Sequence, residues 1–254
     1  MGDEIEWRRL RAEEVCARAG SDAVVIVPLG ALEQHGPHLP VEVDCVLVEA
    51  VAERTAELLR RTTPVVVLPV VWVGISEHHM SFGGTVTLGF PAYAALVEGI
   101  LRSIVRAGFR RIVLLNGHGG NDNALKVIVD ELQPQIPAKL VQLTYWRAAA
   151  EVIGRLLEAQ DELLHACEAE TSMMLALRPE LVDATRIPDA PQGVPAQGDT
   201  KSAGIYRWRP IAERSTSGVI GVPSTASAGK GERLLEAIAA ALADRLGRSE
   251  PWGR

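Results

Sequence analysis

Basic clusters, paired cysteines and long apolar runs are all scarce in this chain. Each scarcity removes a class of function. The 254 residues carry 26 Lys and Arg against 32 Asp and Glu, a net charge of −6. Arginine pairs occur at Arg8-Arg9, Arg60-Arg61 and Arg110-Arg111, short and scattered, so no nucleic-acid partner is expected. The three cysteines are Cys16, Cys45 and Cys167. An odd number at wide spacing makes no disulfide framework, and a cytoplasmic location is expected. No stretch reaches the ~18 apolar residues of a membrane helix, so no membrane partner is expected either. The opening MGDEIEWRRLRAEEV lacks the apolar core of a signal peptide. Histidine is scarce too, at six residues, so where the histidines fall is informative.

Hydrophobic residues make up 47% of the chain, enough for a substantial core. No linker or repeat divides it, so residues 1–254 read as a single domain. Short runs rich in Val and Ile predict strands over 23–29, 65–71, 111–115 and 139–143. Apolar residues at helical spacing predict helices over 46–61, 91–107, 123–132, 168–177 and 230–245. Strands alternating with helices imply an α/β fold with a mostly parallel sheet covered on both faces. Ligands then bind at the carboxyl ends of the strands. Residues 187–218 are rich in Pro, Gly, Ser and Ala and predict a long loop or flap, with short strands around 205–208.

Two segments that follow predicted strands carry chemistry. In PLGALEQHGPHLPVEVD, Glu33 and His35 are two apart and point the same way on an extended chain. A turn-prone stretch with two prolines can then return Asp44 to them. In LLNGHGGN, His118 sits in a glycine-rich turn whose Gly119 and Gly120 allow close backbone approach. Each acid or histidine alone reads as well as an ordinary loop residue. Together they form a mixed oxygen and nitrogen donor set of the kind that holds zinc, manganese or iron. NGHGGN is not a Walker A motif, so a phosphate site has weak support.

Three further segments add candidates. HACEAETS carries His165, Glu168 and Glu170; on a helix the two acids diverge by about 200°. Spacing alone leaves open which of them faces a metal. EHHMSFGGT adds His78 and His79, one of which can line a pocket. Trp146, after LVQLTY, can stack on a flat substrate, although core packing is the commoner fate of a Trp.

With these blocks assembled, the chain resembles the creatininase (creatinine amidohydrolase) family. VPLGALEQHGPHLPVEVD, EHHMSFGGT, LLNGHGGN, HACEAETSMMLALRPELV and GVPSTASAGKGERLLEA look like family blocks in family order over nearly the whole chain. The resemblance implies a three-layer α/β sandwich, two divalent metal ions and a homo-oligomer, often a hexamer. It makes Glu33, His35, Asp44 and His118 metal ligands, with Asp44 bridging. Creatininase carries a Glu where this chain has Gly120, and Glu168 is the expected replacement. His165 and Glu170 match family residues and are expected to act in catalysis. Trp146, His79, Gly119 and Gly120 are expected to meet a small-molecule substrate.

The expected activity is hydrolysis of a C–N bond in a small cyclic amide or formamide by a metal-activated water. The flap tryptophan of creatininase has no counterpart between Trp146 and His165, so creatinine is not the favoured substrate. Deformylation of a formamidopyrimidine nucleotide is one alternative, with Lys230 or Arg207 as the phosphate cation. Mycofactocin-type peptide processing is another. A metal-bound oligomeric binding protein is the non-enzyme alternative.

Overall fold

The computed structural model describes residues 4–194 and 207–253. Its strands are β1 (Val24–Leu29), β2 (Val65–Val67), β3 (Arg111–Asn116) and β4 (Lys139–Thr144). They form one parallel sheet in the order β2-β1-β3-β4. The helices are α1 (Ala12–Gly20), α2 (Val43–Leu59), α3 (Phe90–Arg106), α4 (Asp122–Leu132), α5 (Tyr145–Ala148), α6 (Ala150–Leu156), α7 (Glu168–Leu177) and α8 (Ala228–Gly247).

Strand alternation divides the core in two. Val24, Ile26, Val113 and Leu115 pack with residues of α2, α7 and α8 on one face. Val25, Val27, Leu29, Ile112 and Leu114 pack with residues of α3 and α4 on the other. The sheet is therefore the middle of three layers, and every residue of β1 is buried. That explains why β1 reads as an unbroken apolar run.

The boundaries depart from expectation in instructive places. The predicted 65–71 strand stops at Val67. Leu68 N–H still donates to Ile26 O and Val71 N–H to Pro28 O, at 2.9 Å each. Pro69 lies between them and has no N–H to give. Helix α2 begins at Val43 rather than 46, which places Asp44 in its first turn. Helices α1, α5 and α6 were not expected; α1 buries only Val15 and Arg18, a weak apolar signal. Residues 207–210 form no strand, and 205–206 lie outside the described residues.

Two glycines let α2 close on the strand ends. A Cβ at Gly30, just past β1, would lie 2.8 Å from Cys45 Sγ and 3.0 Å from its Cα. A Cβ at Gly117, just past β3, would lie 2.6 Å from Val48 Cβ and 3.1 Å from Asp44 O. Their missing side chains bring the first turn of α2, and Asp44 with it, against the carboxyl edge of the sheet.

Candidate metal centre

Four elements deliver side chains to that edge. Glu33 and His35 follow β1, Asp44 opens α2, His118 follows β3, and Glu170 lies in the first turn of α7. All five are buried. His118 Nδ1 lies 3.2 Å from Glu33 Oε2 and 3.0 Å from Asp44 Oδ2. His35 Nε2 lies 3.3 Å from Asp44 Oδ1 and 3.9 Å from Glu170 Oε2. Asp44 thus turns one oxygen to each histidine.

Both rings are held from behind. His35 Nδ1 is 3.1 Å from Glu33 O. His118 Nε2 is 2.9 Å from Ile75 O. With the proton on each of these nitrogens, the lone pairs of His35 Nε2 and His118 Nδ1 face the acids, the usual support for a metal-binding imidazole. Glu33 Oε2, His35 Nε2 and Asp44 Oδ2 are buried with no hydrogen-bond partner. Orphaned buried polar atoms are costly, and three converging ones fit a cation. Glu33, His35 and Asp44 offer donor atoms all within 4.8 Å of one another, as do His35, His165 and Glu170.

The two acids of HACEAETS separate. Glu170 Oε2 faces His35. Glu168 does not reach the cluster, which corrects its expected place as fifth ligand. Its carboxylate is paired with buried Lys230 and accepts from Glu158 N at 2.9 Å and Ala159 N at 3.0 Å. Those donors hold both of its oxygens on the far side of the helix start. Lys230 is therefore spent inside the fold, and exposed Arg207 pairs with Glu213, so neither lines the cavity as a phosphate cation.

Gly120 is also placed differently. It does not line the cavity, whereas Gly119 does. A Cβ on it would lie 2.0 Å from Ile75 O and 2.5 Å from His118 Nε2. The hydrogen bond that fixes His118 occupies the space a side chain would need, so a Glu at this position has no room.

The remaining histidines surround the same point. His79 Nε2 and His165 Nδ1 lie 3.3 and 3.7 Å from Glu33 Oε1. The His78 ring stacks toward His118 at 5.7 Å, and His38 Nε2 meets Thr171 Oγ1 at 2.9 Å. Gln34 reaches two of them. Its Nε2 lies 2.8 Å from His79 Nδ1, 3.1 Å from His165 Nε2 and 3.2 Å from Gly218 O. Its only sequence signal is its place between Glu33 and His35, which turns it to the opposite side.

Charge follows from these contacts. Burial alone lowers the His35 pKa, but Asp44, Glu170 and Glu33 together raise it to about 9. His118 is likewise raised, against burial, by Glu33 and Asp44. Burial works against the Asp44 carboxylate, yet His35 and His118 hold it below the usual range. Glu170 is pushed up to about 8, chiefly by burial. Burial and neighbouring imidazoles lower His79 and His165, and burial with His118 and Arg214 lowers His78 to about 3. Beside the cluster lies a cavity of about 330 Å³, walled by Trp146, Arg147, Arg214 and Ile153 among others.

A parallel sheet with converging carboxylates and imidazoles at its carboxyl edge defines an α/β protein with a candidate metal centre at its ligand-binding edge. A model of the family described as Creatininase: Creatinine amidohydrolase matches residues 8–246, and the chain belongs to that family. It is 31% identical to the creatinine amidohydrolase of Pseudomonas putida over 264 residues, covering 98% of this chain and 96% of that one. It is 33% identical over 232 residues to the mycofactocin precursor peptide peptidase of Mycolicibacterium smegmatis, covering 90% and 86%. Among solved structures, a mutant creatininase of Zn-Zn type matches with a TM-score of 0.80 at 30% identity over all of both chains. A creatininase with Mn matches with a TM-score of 0.80 at 29% identity over 99% and 100%.

Proposed function

We propose that this chain, read as one catalytic domain over 1–254, is a metal-dependent amidohydrolase. It cleaves the C–N bond of a small cyclic amide or formamide. The two-sided presentation of Asp44 between His118 and His35 carries this reading. Glu33, Asp44 and His118 would hold one divalent ion; His35, Asp44 and Glu170 would hold a second. Carboxylate and imidazole donors without thiolate suit Zn, Mn or Fe, and the Zn-Zn and Mn creatininases support the first two. When bound, such a pair of ions supplies an acidified water and polarises the scissile carbonyl.

The chain's own groups do the rest. His165 is held neutral, and with its Nε2–H donating to Gln34 O at 2.9 Å its Nδ1 lone pair is open toward the cluster. It can take a proton there and return it to the leaving nitrogen. The backbone O of Gln34 thus fixes that ring, and its side-chain Nε2 donates to His79 Nδ1 at 2.8 Å. Trp146, half-buried on the cavity wall, offers a face for a flat substrate.

The similarity to a peptide peptidase supports a second reading, cleavage within a short peptide by the same site. A catalytically silent binding protein fits less well, since all the proposed ligand positions carry donors. The low cysteine content supports a reducing cytoplasm; among the described residues, no helix is long and apolar enough to cross a membrane. Exposed Trp72, Met80, Val86 and Phe90 support a homo-oligomer, and the family resemblance a hexamer.

Elemental analysis of the purified protein, followed by a hydrolysis screen of lactams, formamides and short peptides in the metal found, tests the reading. About two equivalents of a divalent metal and turnover in one of those classes are expected. Metal-free protein that no divalent ion activates would refute it.

A further inference from the structure

Among the described residues, the cavity wall carries a cation with no acid paired to it. Arg214 follows a 3-10 turn (Ile211–Glu213), is half-buried, and donates from Nε to Val194 O at 3.1 Å. Among the described residues no carboxylate lies within ion-pair distance of it. Its neighbour Glu213 is engaged by Arg207 and Arg209, at 3.3 Å each. Burial and Arg209 press on its charge, but a guanidinium does not give up its proton. It lines the same cavity as His78, His118 and Glu33, so the guanidinium shares the space in front of the cluster.

A second guanidinium lines the same cavity. Arg147, next to Trp146, lies 3.7 Å from Asp122 Oδ2. Asp122 is already bonded to Lys126 and Thr144, which leaves Arg147 only a shared partner. Among the described residues, Glu162 is the one acid lining the cavity apart from Glu33, Asp44 and Glu170. Leaving a half-buried guanidinium unpaired is costly unless a ligand pairs with it. Its planar fork matches the oxygens of a carboxylate or a phosphate.

We propose that Arg214 is the anion-recognition residue of this cavity, and that the amide cleaved carries a carboxylate or phosphate group. The inference rests on the amidohydrolase reading for the reaction, but on Arg214 alone for the charge.

Matched formamides test it. One pair is N-formylglycine and N-formylglycinamide; the other is N-formyl-O-phosphoethanolamine and N-formylethanolamine. The metal-loaded enzyme is expected to prefer the anionic member of one pair by about 10- to 100-fold in kcat/KM. The preferred pair tells carboxylate from phosphate. In Arg214→Met that ratio falls toward one, and Arg214→Lys restores part of it, which a merely structural role would not do. A wild-type ratio near one in both pairs overturns the proposal, as does a ratio unchanged in Arg214→Met. If no formamide is turned over, the hydrolase reading loses its formamide arm, and binding decides the charge. Titration of N-formylglycine and inorganic phosphate should then show about tenfold weaker binding of one of them in Arg214→Met than in wild type. Equal affinities for both ligands overturn the proposal.

Discussion

Glu168 and Glu170 are two residues apart and chemically identical, yet their surroundings set them to different tasks. Glu168 faces Lys230 and two backbone N–H groups, and burial is outweighed by these donors, so its pKa is lowered. Glu170 faces His35 and Asp44 in a dry site, and its pKa is raised to about 8. Glu168→Ala is expected to strip buried Lys230 of its main partner, at a cost of about 3–5 kcal/mol. For a chain this size that is a drop in Tm of roughly 10 °C. Turnover per folded molecule should persist. Glu170→Gln should do the reverse, with a near wild-type melting curve in chelator and kcat/KM lowered more than about 100-fold, beyond the usual loss from an outer-shell partner. Paired melts and assays decide it; equal loss of activity in both variants would contradict the assignment. Gly120→Ala belongs at this scale too. Its Cβ would press on Ile75 O and His118 Nε2, so metal affinity should fall about 10- to 100-fold with the histidine itself intact. A competition titration against a chelating dye reads this directly.

At the scale of elements, the site depends on how closely α2 meets the ends of β1 and β3. Gly117→Ala puts a methyl 2.6 Å from Val48 Cβ. Overpacking of this kind costs about 1–3 kcal/mol, and the only relief is for α2 to move outward with Asp44 on it. A fall in Tm of several degrees with a disproportionate loss of kcat is expected, measured against Gly99→Ala in α3, where a Cβ meets nothing within 4 Å. Elements set by local pattern were legible in the sequence. β1, β3 and β4 were read within a residue or so because buried parallel strands are unbroken apolar runs, and Glu33, His35 and His118 follow from where those strands end. Contacts made across the fold were not legible. The orientation of α7 depends on Lys230, 62 residues beyond Glu168, and the start of α2 on glycines in two other loops. Gln34 was hidden because its partners, His79, His165 and Gly218, are far from it in sequence.

Across the whole molecule, all six histidines lie at or beside one site, so proton binding there couples to the stability of the entire fold. Without metal, two groups of residues act in opposite directions. Burial lowers His38 to about 4 and His78 to about 3, and also lowers His79 and His165. Between about pH 4 and their ordinary value of about 6.5, the unfolded chain binds more protons at these four positions, so stability rises with pH. His35 is raised to about 9, Glu170 to about 8, and His118 is also raised. Above about pH 6.5 the folded chain binds the extra protons, so its stability falls as pH climbs through those values. Glu170 opposes the first trend below that point, but as one group against four. Chelator-treated protein should therefore show its highest Tm at about pH 6.5. A divalent ion takes the place of the protons that His35, His118 and Glu170 hold, and its binding releases them. Adding Zn or Mn should then raise Tm more at pH 8 than at pH 6, and move the maximum to higher pH. Melting curves across pH, with and without metal, read both effects. A metal-induced gain that does not grow with pH would mean that the ions are not displacing protons from this cluster.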